Sequence, residues 1–146
     1  MNKHMHANIV FSKFTRDFNE LKNYLPIRPS EMGLLNIITR GKGDHTPLAL
    51  AERMAVSKPM IAAHISSLEE KGYIVKEQSP EDKRSFFVRP TEKAQRLCHE
   101  YESIQTERIR QLELALGESE LESLVTLLDK AQKIIREIRI ADSKKD

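Results

Sequence analysis

The chain has 146 residues, 39% of them hydrophobic and 32% charged, with 24 Lys and Arg against 22 Asp and Glu for a formal net charge of +2. That length suits one domain, or one domain with a dimerising extension, and apolar residues recur too regularly for wholesale disorder. Near-balanced charge argues against a polycation that coats nucleic acid, a lone Cys98 excludes an intramolecular disulfide, and no run approaches the roughly 18 apolar residues of a membrane span.

All six prolines lie in the first 90 residues, and Gly117 is the only glycine after Pro90. Short elements with tight connections should therefore give way to two long helices meeting near Gly117. Val10, Phe14, Phe18, Leu21 and Leu25 recur at spacings of three and four, which predicts a first helix ending before Pro26. Ser30 is positioned to cap a second helix carrying Met32, Leu35 and Ile38 and stopping at Gly41-Lys42-Gly43. Thr46-Pro47 is a start signal, because proline at the first helical position has no amide hydrogen to waste. It predicts a short third helix from Pro47 to Met54, followed by a turn at Ala55-Val56-Ser57.

Ser57 can cap a fourth helix that tolerates Pro59 in its first turn and ends at Gly72. Helical periodicity puts Ile61, Ile65 and Leu68 on one stripe and Pro59, Ala62, Ala63, Ser66, Ser67 and Glu70 on the opposite side. Tyr73 to Gln78 and Phe86 to Arg89 read as a β-hairpin around the polar turn Ser79 to Arg84. Thr91 then caps a long fifth helix with Leu97, Tyr101, Ile104, Leu112 and Leu116 apolar, and Ser119 and Glu122 have capping-box spacing for a sixth. In that sixth helix Leu121, Leu124, Leu128, Ala131, Ile135 and Ile138 follow a heptad seam, widened by Leu127 and Ile134. Such a seam needs a partner helix, from the same chain or from a second copy.

Two short helices joined by a tight turn and followed by a hairpin with a basic tip is the order of a winged helix-turn-helix. The second helix of such a unit fits a major groove only if its outward face lacks large apolar groups, and here that face is small or hydroxylic. Ala51, Ala55 and Ile61 stand where the unit needs small residues for close packing and an apolar plug.

The stretch Leu68-Glu69-Glu70-Lys71-Gly72-Tyr73-Ile74 resembles the Leu-Glu-x-Lys-Gly-hydrophobic end of the recognition helix in the MarR family of bacterial winged-helix transcription regulators. Asp82-Lys83-Arg84-Ser85 resembles that family's Asp-x-Arg wing, and Thr91-Glu92-Lys93 the start of its long fifth helix. The resemblance implies a mainly α fold with a small β-hairpin wing and long N- and C-terminal dimerisation helices. Residues 30–90 would bind DNA, and residues 1–29 and 91–146 would form the dimerisation region. It implies a homodimeric repressor on a pseudo-palindromic operator, with half-sites about 34 Å apart. Leu121, Leu124, Leu128, Ile135 and Ile138 would serve the dimer. The partners implied are double-stranded DNA, a second copy, and a small amphipathic or phenolic effector in a pocket near Phe11, Phe14, Met32 and Leu35. Three positions depart from the pattern: Pro90 replaces a usual leucine, Ala94 a usual glycine, and Ala63 a frequent arginine. The third makes the operator hard to guess.

The candidate DNA contacts follow from chemistry. Ser57 and Lys58 at a helix N-terminus suit a phosphate, while Pro59, Ala62, Ala63, Ser66 and Ser67 present methyl groups and hydroxyls to base edges. Arg84 at the hairpin tip suits a narrow minor groove, flanked by Lys83 and with Asp82 placed to hold its guanidinium. His64 lies at the border of the buried stripe, as a packed or surface residue. Cys98 and His99 are neighbours pointing apart, and His4, His6 and His45 show no ligand spacing, so neither metal nor cofactor is expected. Without a phosphate loop, Gly-x-Gly-x-x-Gly, Cys-x-x-Cys or His-Glu-x-x-His there is no support for an enzyme. The first residues lack a secretory apolar stretch, which makes the cytoplasm the expected compartment with no membrane partner. Two alternatives stay open: a winged-helix protein-interaction module without DNA binding, and a metal- or thiol-responsive variant of the regulator. Residues 1–96 carry 16 Lys and Arg against 11 Asp and Glu, and residues 97–146 carry 8 against 11. The near-neutral total is thus a basic region cancelled by an acidic one, which suits a few aimed contacts.

Overall fold

A computed structural model describes residues 2–20 and 25–144 of the chain. Its elements are α1 (Lys3–Asn19), α2 (Pro29–Arg40), α3 (Pro47–Met54), α4 (Lys58–Glu70), β1 (Ile74–Gln78), β2 (Phe86–Pro90), α5 (Glu92–Leu116) and α6 (Glu118–Ser143). The fold is the expected one: mainly helical, with one antiparallel hairpin in which Ile74 faces Pro90 and Gln78 faces Phe86. The chain divides into two units, residues 1–101 and 102–146.

In the first unit the apolar stripes of α2, α3 and α4 close on one another and on the hairpin. Leu34, Leu35, Leu50, Ile61, Leu68 and Val88 are each 1% exposed or less. Burying a side chain of this size stabilises the fold by about 1.5–3 kcal/mol, so this cluster dominates the unit's energetics. No residue of α1 is buried. Its helix ends at Asn19, where Glu20 turns extended at ψ 98°, well short of the predicted end before Pro26. Leu21 lies outside the described residues, and Leu25 packs half-buried against the core from beyond the helix.

The caps explain most boundaries. Arg28, not Ser30, stands at the N-cap of α2, with Pro29 at the first helical position and the Glu31 carboxylate accepting the Arg28 amide at 3.3 Å. Thr46 caps α3 as predicted, accepting from the Ala49 amide at 3.2 Å. Ala55 ends α3 in the left-handed region at φ 54°, and it is exposed, so its role is the turn and not the close packing expected of it. At the end of α4 the Gly72 amide donates to Glu69 O at 3.0 Å and the Tyr73 amide to Leu68 O at 2.9 Å. This pair of reversed bonds needs a left-handed residue at position 72, and Gly72 takes φ +79° without a Cβ penalty. Thr91 caps α5 through the Ala94 amide and donates its hydroxyl back to Gly72 O at 2.8 Å, tying the end of α4 to the start of α5. Lys93 reinforces that junction: its ammonium donates to Lys71 O at 2.6 Å and stands 4.5 Å from the Tyr73 ring centre.

In the second unit the outer part of α5 gives way to α6 at Gly117, which acts as N-cap at φ +92°. Helix α6 starts at Glu118, so Ser119 lies inside its first turn and the expected capping box does not form. Leu121 and Leu124 are half-buried, whereas Leu128, Ile135 and Ile138 are exposed, as are Leu127 and Ile134. Among the described residues no helix is long and apolar enough to cross a membrane.

Candidate nucleic-acid interface

Helix α4 is held along one stripe and open on the opposite face. Ile61, Ile65 and Leu68 face the core. Pro59, Ala62, Ala63 and Ser66 are exposed on the outward face, with Ser57 and Lys58 exposed at the N-terminus. His64 is half-buried at the border. Ser57 caps the helix, its oxygen accepting from the Met60 amide at 3.3 Å, which leaves its O–H free to donate outward. The outward face thus offers a hydroxyl, a lysine and a small-residue surface, which a phosphate and base edges can use; the amides of the first turn offer little, since Pro59 has none and those of Met60 and Ile61 are bonded to Ser57.

Ser67 departs from this arrangement. Periodicity placed it outward, but it is half-buried and its hydroxyl donates to Glu31 Oε2 at 2.7 Å. Glu31 sits in the first turn of α2, is 1% exposed, and also accepts from Lys71 at 3.3 Å. Burial pushes the Glu31 pKa up, yet the Ser67 hydroxyl, the Arg28 amide and the Lys71 ammonium together outweigh that and hold it below the ordinary carboxylate range. Sequence reasoning missed Glu31 as a partner of α4, and with it the role of Lys71 at the helix's C-cap. The available signal was Arg28-Pro29-x-Glu31, a proline start with a glutamate at the third helical position. Met60 was missed too, and is half exposed on the first turn of α4 beside the small-residue face.

The wing extends from β1 and β2. Asp82, Lys83 and Arg84 are all exposed at its tip. Asp82 grips the turn's backbone and not the arginine head: its carboxylate accepts from the Arg84 amide at 2.9 Å and the Ser85 hydroxyl at 3.3 Å. An Asx-type turn is satisfied locally, so the carboxylate is spent there and the Arg84 guanidinium makes no ion pair among the described residues. Gln78 clips the tip by donating to Lys83 O at 2.8 Å. At the base of the wing Arg89 bridges Glu77 at 3.0 Å and Asp44 at 2.7 Å, and these carboxylates push its pKa further up. The Val88 amide donates to His45 O at 2.8 Å, joining the approach to α3 to the hairpin. The wing is therefore rooted in the helix-turn-helix, with its cationic tip left open.

A separate cleft of about 350 Å³ is lined by Asn19, Leu25, Pro29, Ser30, Met32 and Tyr101. Of the four residues expected around an effector pocket only Met32 lines it. Leu35 is fully buried in the core, and Phe11 and Phe14 are exposed on α1, where Phe14 stacks on Phe18 at 5.6 Å between ring centres. Periodicity identifies a face and cannot say whether that face meets a cavity, a core or solvent. Cys98 is buried, 3.1 Å from the Thr39 hydroxyl, and burial pushes its thiol pKa up, which disfavours the reactive thiolate. Among the described residues no three His, Cys, Asp or Glu side chains gather in a metal-holding group.

A family model described as "MarR family" matches residues 27–86, the stretch from the approach to α2 through the wing. Residues 27–86 are a MarR-family domain. Solved structures agree in fold beyond the domain. MepR, a transcription regulator of the Staphylococcus aureus multidrug efflux pump MepA, is 16% identical with a TM-score of 0.75, over 92% of this chain and 99% of that one. Streptococcus pneumoniae FabT, crystallised in complex with DNA, is 18% identical with a TM-score of 0.74, over 92% and 95%. Wild-type MarR from E. coli in its apo form is 23% identical with a TM-score of 0.70, over 90% and 97%. The winged-helix fold of MarR-family regulators thus extends to the helices flanking the MarR-family domain.

Proposed function

We propose that this protein is a transcription regulator that binds double-stranded DNA sequence-specifically as a homodimer, and that it acts as a ligand-responsive repressor on a pseudo-palindromic operator. One observation carries the reading: the open face of α4, with Pro59, Ala62, Ala63 and Ser66, belongs to the same unit as an exposed, unpaired Arg84 on a rooted wing. Small side chains let the helix enter a major groove, and an arginine with no protein partner suits the flanking minor groove. The DNA complex of the similar FabT supports the reading. Ser57 and Lys58 would hold a phosphate, with Lys83 adding charge.

In this reading α1 and the outer helices, with Leu121, Leu124, Leu128, Ile135 and Ile138, serve the dimer. A small amphipathic or phenolic effector would act by its differential affinity for two arrangements of the DNA-binding lobes. The setting is a bacterial cytoplasm and the protein is no enzyme.

Selection of bound DNA from a random pool, followed by a salt series on the selected site, tests this directly. Expected is one enriched pseudo-palindrome bound with affinity that falls steeply with salt. Arg84→Ala should weaken that binding by about 1–3 kcal/mol and make the salt slope shallower by about 1, with the oligomeric state unchanged. No enrichment, salt-insensitive retention and a protein partner in pull-down would instead establish the interaction module, which the missing arginine at Ala63 favours.

A further inference from the structure

A helix held only by an apolar stripe is held loosely in roll, because dispersion and hydrophobic contact have no preferred direction. In α4 that stripe is Ile61, Ile65 and Leu68. What adds direction is a buried carboxylate. Glu31, reaching from the first turn of α2, accepts from the Ser67 hydroxyl at 2.7 Å and from the Lys71 ammonium at 3.3 Å. Ser67 and Lys71 are one turn apart, on the flank of α4 between its buried stripe and its outward face. A carboxylate 1% exposed is tolerated only where donors meet its lone pairs, and two of its three donors come from α4 or its C-cap, the other being the Arg28 amide. Any roll of α4 strips the carboxylate of those partners.

We propose that Glu31 is a positioning residue for DNA recognition: from α2 it sets the roll of α4 through Ser67 and Lys71, and so aims Pro59, Ala62, Ala63 and Ser66 at the bases. This rests on the DNA-binding reading above. Base readout depends on side chains held to within about 0.5 Å, whereas attraction to phosphates tolerates far larger displacement. Loss of the Glu31 contacts should therefore cost sequence discrimination before it costs general DNA affinity.

The test takes the full-length chain and the duplex that the wild type selects from a random pool. Affinity for that duplex and for an unrelated duplex of equal length is measured at one salt concentration for wild type, Glu31→Gln, Ser67→Ala and the double variant. Circular dichroism and urea unfolding are run alongside. Each single variant, folded at the assay temperature, is expected to lose about tenfold in affinity for the selected duplex and less than about twofold for the unrelated one. The double variant should lose no more than Glu31→Gln alone, because both changes break the same contact. Ser67→Ala removes only a hydroxyl and keeps the test available if Glu31→Gln does not fold. Wild-type discrimination in a folded variant overturns the proposal, as does a parallel fall in both affinities that tracks the unfolded fraction. Failure of the wild type itself to select any sequence overturns it together with the DNA-binding reading, and that result is visible before any variant is made.

Discussion

Leu68 and Ile135 each lie on the apolar stripe of an amphipathic helix, yet Leu68 is 0% exposed and Ile135 58%. The contrast holds along both elements. On α4 the apolar stripe closes against α2, α3 and the hairpin, while no residue of α6 is buried among those described. The first unit carries surface ion pairs as the outer helices do, Arg89–Glu77 in one and Arg110–Glu107 in the other, but it also holds a buried carboxylate with three donors. Apolar periodicity therefore states that a face needs cover. It does not state what covers it, and only the lobe finds its cover within the described chain.

The largest expected effect separates the two regions energetically. Leu68→Ala should cost about 2–5 kcal/mol in urea unfolding, the usual range for a large-to-small change in a closed core. Ile135→Ala should change the lobe's stability by less than about 0.5 kcal/mol. Equal costs would mean that α6 is packed as tightly as α4 and would dissolve the comparison.

Next comes the identity of the missing cover. If the proposed homodimer forms through this row, Leu128→Glu with Ile135→Glu places two charges on the exposed row of α6, and sedimentation should show a wild-type dimer replaced by monomer while the lobe's near-ultraviolet dichroism stays unchanged. A dimer that survives both charges would move the interface away from this row.

A smaller effect distinguishes the buried carboxylate from the surface one. Glu31 has its pKa lowered in the folded state, so its stabilising contribution is complete above the ordinary carboxylate value of 4.5 and is lost as pH falls through the lower folded value. The difference in unfolding midpoint between wild type and Glu31→Gln should therefore narrow on acidification from about pH 6 to about pH 3. Glu107 is pushed down to about 2 by hydrogen bonds from Arg110 and Gln111, but it is exposed, so salt should erase its effect and leave that of Glu31. A gap for Glu31 that widens toward low pH, or vanishes in salt, would contradict the buried geometry.

The smallest expected effect concerns the turn between α3 and α4. Ala55 sits at φ 54°, a conformation in which a Cβ is strained, so Ala55→Gly should raise lobe stability by about 0.5–1 kcal/mol. Measured destabilisation would show that Ala55 makes a packing contact after all.

Local chemistry made much of the fold legible. Thr46-Pro47, Ser57, Gly72 and Thr91 each act through an atom of their own or of the adjacent backbone, and each boundary they predicted stands. Ser30 and Ser119 carried similar signals but lie inside the first turns of helices that begin earlier, with Arg28 and Gly117 at the N-caps. The candidate site was legible where it depends on one helix face or one loop, as with Ala62, Ala63, Ser66 and Arg84. It was illegible where two distant segments meet. Ser67 looked outward until Glu31, 36 positions away in the chain, claimed its hydroxyl, and Asp82 looked like a partner for the Arg84 head until the turn's own amide took it.

By itself, then, the sequence determined the element order, the caps, the buried stripe of α4 and the basic tip of the wing. These follow from torsional preference, helical period and charge, all properties of residues near one another in the chain. Tertiary structure alone decided that Glu31 is buried and locks α4 from α2, that Met32 and Tyr101 border a cleft while Phe11 and Phe14 do not, and that Arg84 stands unpaired. Each of these depends on which lone pair or surface is left over once the chain has closed, and that remainder is not a property of any one segment.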